Sequence, residues 1–185
     1  MKRLLKFILV VLVCYFIAVV SNIIFIEQIV ISGNSMEENF SEGEFGMADK
    51  QIYKLTNLKR FDVVVIDENN EMIIKRIIGL PNETISYKDG VLKVNNEVVN
   101  EDFIDGFTKL ETNRNGTEIL VTLKENEYYV LGDNRRLSYD SRNIGPIHMN
   151  MIKGRVFVIY GQCENLVCEA NKCNCDRRYF IPRFI

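Results

Sequence analysis

Ser35 stands in the stretch ISGNSMEENF, residues 31 to 40, among small and polar neighbours a few residues past a long apolar run. A serine so placed is either a nucleophile or an ordinary loop hydroxyl. As a nucleophile it needs a base within reach to take its proton. The chain holds one histidine, His148 in GPIHMN, with no obvious partner carboxylate beside it. A Ser-His-Asp arrangement would depend on that residue alone, and the plainer reading of His148 is a surface loop histidine. A lysine base is the alternative.

Among the lysines, Lys75 in EMIIKRII stands apart. Strand alternation puts it on the face of Ile73 and Ile77 and turns Arg76 the other way. Lysine is almost never fully buried unless paired. A lysine of ordinary pKa is neutral about once in 2,500 molecules at pH 7. Desolvation disfavours the charged form; lowering the pKa by about 2.5 would cost the fold roughly 3.4 kcal/mol and leave some 10% neutral base. The competing reading is a lysine that snorkels to a strand edge.

A third cluster favours the base. GDNRRLSYDSRNIGP, residues 132 to 146, packs Asp133, Asp140, three arginines and two serines into one stretch after an apolar YYVL. A solvated loop could look the same, yet these are the groups needed to orient a lysine and brace a site.

The elements that must position these residues read as β structure. RFDVVVID (60–67), EMIIKRIIGL (71–80), TISYKDGVLKVNNEVV (84–99), EILVTLKENEYYVLGD (118–133) and GRVFVIYG (154–161) are rich in β-branched and aromatic residues and separated by Gly, Asn and Asp. KDG and VNNE are good hairpin turns. Residues 100–117 are polar and glycine-punctuated and read as a loop or excursion. The expected fold is mainly β: a small, antiparallel, barrel-like domain on one N-terminal transmembrane helix.

That helix is expected at residues 7–26, which carry no charge and at about 1.5 Å per residue span the roughly 30 Å hydrocarbon core. Lys2, Arg3 and Lys6 precede it in a basic segment, 1–6, which sets the N-terminus in the cytoplasm. A cleaved signal peptide is the competing reading, but its apolar stretch should be about 7–15 residues and end in a small-x-small site; AVVSN has valine where a small residue should sit. Residues 27–161 form the extracytoplasmic domain, and 162–185 a Cys-rich tail. Beyond residue 26 there are 25 acidic and 20 basic residues, a net of about −5. That balance argues against a nucleic-acid partner.

Cys163, Cys168, Cys173 and Cys175 lie in that tail and Cys14 in the apolar run. An extracytoplasmic location permits disulfides, with three pairings open to four cysteines. Zinc is the rival, although C-x4-C-x4-C-x-C is not a standard zinc spacing.

With these segments in hand, the chain resembles the bacterial type I signal peptidases (leader peptidases), most closely the short Gram-positive form with a single anchor. SGNSM resembles the family's nucleophile box, RFDVVV the next, KRIIGLPNE the lysine box and GDNRRLSYDSRNIG the last and most specific. Their order and spacing match over roughly residues 1 to 161. The resemblance implies a cell-membrane serine endopeptidase that removes signal peptides from exported preproteins at small-x-small sites. It implies Ser35 as nucleophile, Lys75 as general base and Ser138 as the residue orienting the lysine. It further implies supporting ion pairs among Arg76, Asp133, Asp140 and Arg142, and an oxyanion hole using the Ser35 backbone N–H. Gly33 and Met36 match positions near the substrate and membrane face. No metal or cofactor is implied; the partners are preproteins emerging from the export machinery and the lipid bilayer.

The chain departs from the family pattern in several places. Glu38 and Asn39 stand where Pro-Thr is usual, which removes a residue that presets φ. Gly33 offers no side-chain hydroxyl two residues before Ser35. LPNE replaces LPGD, and Asn82 is the non-glycine type best able to hold φ > 0 there. The tail has no counterpart. Alternatives are a self-cleaving Ser-Lys peptidase of repressor type, a non-catalytic scaffold or chaperone for surface-protein assembly, and a membrane-tethered binding module. The anchor argues against the first, and the lysine box against the last.

Overall fold

The computed structural model describes residues 2–37, 39–51, 56–112, 118–169 and 172–185. Helix α1 (Lys2–Phe25) passes directly into strand β1 (Ile26–Val30). Its side chains at Phe7, Leu9, Val10, Tyr15 and Phe16 are exposed. The expected span at 7–26 includes residues 18–24, whose side chains lie outside the described set; among the described residues no helix is long and apolar enough to cross a membrane.

The rest is antiparallel β structure, as expected. Strands β2 (Glu44–Asp49), β3 (Val63–Glu68), β4 (Glu71–Gly79), β9 (Glu127–Leu131), β10 (Ile147–His148) and β11 (Ile152–Glu169) join β1 in one sheet of order β1-β2-β11-β3-β4-β9-β10, and β12 (Lys172–Phe184) adds to β11. A second sheet has the order β7-β6-β5-β8, from β5 (Thr84–Lys88), β6 (Val91–Val94), β7 (Glu97–Val99) and β8 (Ile119–Thr122).

Turn chemistry sets the hairpins. Asn69–Asn70, Asp89–Gly90 and Asn95–Asn96 all have φ between 50° and 76°, which gives the primed two-residue turns that match strand twist. The last two are the turns expected from KDG and VNNE. Asn82 holds φ at 66°, as anticipated for LPNE.

Alternation sorts the apolar residues of β3 and β4 into two cores. Val63 and Val65 join Ile29, Ile31, Met36, Phe40 and Val156, with Ile74 packed against them. Val64, Ile66 and Ile77 join Val130, Ile147 and Ile152. A third cluster, with Ile78, Ile85, Tyr87, Leu92 and Leu131, ties the second sheet to the first.

The segment read as a loop at 100–117 contains a short helix, α2 (Gly106–Glu111). Its N-cap is Asp105, whose carboxylate accepts the Thr108 N–H and is held below the usual carboxylate range by that bond. Residues 113–117 of that segment lie outside the described residues.

Candidate active site

The nucleophile turn hangs from two buried anchors. Met36 and Phe40 are 1% and 3% exposed, and the Phe40 N–H donates to Met36 O at 3.0 Å. Gly33, at φ 82°, lets the chain reverse after β1, and nothing lies within 4 Å of where a Cβ would sit. Ser35 lies between these points, half-buried, and its carbonyl accepts the Asn134 N–H at 3.1 Å. Met36, matched by the resemblance to a position near the substrate and membrane face, is itself buried. An apolar side chain beside Ile29, Ile31 and Val63 gains more from the core than from the rim.

Lys75 enters from β4, paired with Val64 across the β3–β4 ladder. It is 3% exposed. Its Nζ donates to Ser35 Oγ at 2.8 Å and to the Ile74 carbonyl at 3.0 Å. Burial pushes its pKa down to about 8, helped by Arg142 and opposed by Asp140 and Asp133. At that value about one lysine in ten is neutral at pH 7. A neutral amine reverses the hydrogen bond, so that the serine O–H donates to nitrogen and can give up its proton there.

The stretch 132–146 braces both groups. Asp133 takes two hydrogen bonds from Arg76, Nε to Oδ1 at 2.8 Å and Nη2 to Oδ2 at 2.5 Å. Arg76 also donates to the Phe61 carbonyl and lies over the Phe103 ring at 4.3 Å. Asp140 caps helix α3 (Ser141–Ile144) in a capping box with Asn143. It accepts Arg142 Nε and Nη2, each at 2.8 Å, and the Gly132 N–H at 3.0 Å. The four residues grouped from sequence as supporting ion pairs are thus Arg76 with Asp133 and Arg142 with Asp140.

Gly132 is packed between the reactive segments. A Cβ there would stand 2.2 Å from Ser138 Oγ and 2.4 Å from the Ser35 carbonyl. Ser138 Oγ is buried and has no hydrogen-bond partner among the described residues; the bond to Lys75 implied for it by the family resemblance is not made in this structure. Lys75 satisfies itself with Ser35 and Ile74 instead.

Three features escaped the sequence reading. Asn39 sits at the departure after Met36, and its Nδ2 donates to Asp133 Oδ2 at 3.0 Å and to the Phe103 carbonyl at 2.7 Å. Glu38, the other half of that departure, lies outside the described residues. Arg135, 2% exposed, pairs with Glu101 and donates to Thr112 Oγ1 and the Gly132 carbonyl. Burial works against its charge, but Glu101 keeps its pKa raised. The third is an edge. Strand β2 is bonded to β1 on one side and to β11 on the other. Among the described residues, β4 has an unpaired stretch on one side: residues 71–75 pair with β3, whereas pairing with β9 begins only at Arg76.

His148 is exposed, with Nδ1 against Asn150 Oδ1, in agreement with its plain reading. Cys163 and Cys175 form a disulfide; Cys168 and Cys173 face each other in the β11–β12 register, and their side chains lie outside the described residues. Among the described residues no group of three or more His, Cys, Asp or Glu side chains is placed to hold a metal ion.

A buried lysine thus lies within hydrogen-bond distance of a half-buried serine on an antiparallel β scaffold. Comparison with known proteins gives the class. The family model described as signal peptidase, peptidase S26, matches residues 2–161, close to the reach of the resemblance drawn from the motifs. Signal peptidase I V of Bacillus subtilis (strain 168) is 36% identical over 144 residues, covering 73% of this chain and 85% of that protein. Signal peptidase IB of Staphylococcus aureus is 30% identical over 168 residues, covering 84% and 88%. A solved signal peptidase I from Enterococcus faecalis V583 superposes with a TM-score of 0.47 at 28% identity, covering 54% of this chain and 96% of that one. The chain belongs to the signal peptidase family, peptidase S26. It is a serine peptidase, and therefore a hydrolase.

Proposed function

We propose that the protein is a membrane-anchored serine endopeptidase that removes N-terminal signal peptides from exported preproteins, with Ser35 as nucleophile and Lys75 as general base. The observation that carries this reading is the 2.8 Å contact between Lys75 Nζ and Ser35 Oγ at a lysine whose burial lowers its pKa to about 8.

In the proposed reaction, Ser35 Oγ attacks the scissile carbonyl carbon as its proton passes to neutral Lys75. The resulting ammonium returns that proton to the leaving amine, and the peptide bond breaks to leave an acyl ester on Ser35. Water, deprotonated by Lys75, then attacks the ester; the acyl–Oγ bond breaks, the ammonium returns its proton to Ser35 Oγ, and the carboxylate product leaves. The Ser35 backbone N–H assists the oxyanion, a contribution of about 3–4 kcal/mol for such a donor. Arg76–Asp133 and Arg142–Asp140 hold the surrounding backbone.

The substrate enters as an extended strand along β4 residues 71–75, whose outer side is unpaired among the described residues and which lead to Lys75. Small side chains at the −1 and −3 positions are what the family resemblance implies for this substrate. The exposed apolar side chains around α1, such as Phe7 and Phe16 at 67% each, are costly in water and support a membrane anchor. The Cys163–Cys175 disulfide supports an extracytoplasmic domain at residues 27–161, followed by the tail at 162–185.

The test is incubation of the full chain in detergent micelles with a preprotein carrying an Ala-x-Ala site, beside Ser35→Ala and Lys75→Ala. Cleavage after the second alanine, located by mass and abolished in both variants, is expected. A folded wild-type chain that cuts nothing would overturn the reading in favour of a non-catalytic scaffold.

A further inference from the structure

The family match stops at residue 161, yet the chain beyond it returns to the site. The outer half of β11 pairs with β12, and the Cys163–Cys175 disulfide ties the two strands together. In the register, Arg183 of β12 lies opposite Ile159, which in turn lies opposite Gly46 of β2. From there the Arg183 guanidinium reaches the nucleophile turn. Nη2 donates to the Asn39 carbonyl at 2.5 Å and to Glu44 Oε2 at 2.7 Å, and the group lies 5.0 Å over the Phe40 ring.

Residues 39 and 40 are therefore held from two sides. Asp133 and the Phe103 carbonyl hold the Asn39 side chain from within, and Arg183 holds its carbonyl from the tail. No proline in residues 34–42 fixes this backbone by itself.

We propose that the C-terminal hairpin is a brace for the nucleophile turn and that Arg183 is a positioning residue for Ser35. The inference rests on Ser35 being the nucleophile. Holding the Asn39 carbonyl and the Phe40 ring keeps the turn closed through the Phe40 N–H to Met36 O bond, and so keeps Ser35 Oγ in reach of Lys75. The Arg183 side chain is 43% exposed, and ion pairs of that kind add little to global stability. Small displacements of a reacting group, in contrast, are costly in rate. The brace therefore acts on turnover and leaves the fold standing.

The test compares full-length wild type, Arg183→Ala and Arg183→Lys in detergent micelles. It uses steady-state cleavage of an Ala-x-Ala preprotein and hydrogen exchange at the amides of Phe40 and of Val130 in the core of β9. For Arg183→Ala, kcat is expected to fall roughly tenfold with KM unchanged, and the Phe40 amide to exchange faster while Val130 does not change. Arg183→Lys is expected to recover part of the rate, because an ammonium can reach one acceptor but lacks the planar fork. Wild-type kcat in Arg183→Ala, an unchanged Phe40 exchange rate, or a change in KM alone would overturn the proposal. So would an equal rise at Val130, which would make β12 a support of the whole fold. If wild type itself does not cleave, the peptidase reading fails, and the exchange comparison still decides the brace.

Discussion

Lys75 Nζ and Ser35 Oγ are 2.8 Å apart although 40 residues separate them in the chain. The contact exists because the β3–β4 ladder pairs Lys75 with Val64 while the buried Met36 and Phe40 pin the serine turn against Val63. Neither segment alone holds the pair. The hydrogen bond is thus a product of the sheet, and the lysine's lowered pKa is a product of the burial that the same packing imposes.

That burial has a measurable consequence for stability. The folded pKa near 8 lies below the ordinary 10.5, so between those values the unfolded chain binds more protons than the folded one. Stability therefore rises with pH across that window, by up to about 3 kcal/mol, and the full cost is present below pH 8. Urea unfolding of wild type and Lys75→Met from pH 7 to 10 should show wild type gaining on the variant as pH rises. A constant difference would mean that Lys75 titrates normally.

Gly132 is the tightest spot beside the reactive groups. Gly132→Ala places a methyl group within 2.4 Å of the Ser35 carbonyl and 2.2 Å of Ser138 Oγ. Overpacking of this kind costs about 1–3 kcal/mol, and relief requires Ser35 or Ser138 to move. The variant should lose most of its kcat together with that stability, measured by cleavage rate and urea midpoint. Unchanged kcat would show that the segment yields without moving Ser35.

Asp133 is 1% exposed and Arg76 7%. Asp133→Ala strands a buried guanidinium and should cost about 3–5 kcal/mol. It also removes one of the two acceptors for the Asn39 side chain, so activity should fall in the fraction that remains folded. Thermal unfolding and turnover per active site, measured together, separate the two effects.

Arg135 and Glu101 form a second buried pair, extended by Tyr87 Oη donating to Glu101 at 2.8 Å. Arg135→Met alone should destabilise by about 3–5 kcal/mol, and the double change Arg135→Met with Glu101→Leu should recover much of that loss. A double-mutant cycle in urea checks it; additive losses would show that the pair is not coupled.

The site was legible in the sequence to the extent that local chemistry marks it. Lys75 was visible because a charge on an apolar strand face is unusual, and the 132–146 stretch because its charges are dense. The hairpins at 88–91 and 94–97 were visible because Asp-Gly and Asn-Asn favour φ > 0. Arg135 was hidden beside Arg136, since nothing local tells a buried arginine from an exposed one; the difference comes from Glu101, 34 residues away. Which strands are covered was not legible because pairing is a long-range property: β11 returns from the far end of the chain to cover β2. Strand β12 was read as a Cys-rich tail because it has no regular apolar alternation, and its order comes from pairing with β11.

The measurement that bears most directly on the Ser35–Lys75 pair is the pH dependence of kcat/KM for preprotein cleavage between pH 6 and 10, with Lys75→Ala as control. Wild-type activity should rise about tenfold per pH unit and level off near pH 8, where the lysine loses its proton, and Lys75→Ala should show no such rise. A wild-type profile that is flat across this range, or that still climbs steeply to pH 10, would contradict a buried neutral lysine as the base for Ser35.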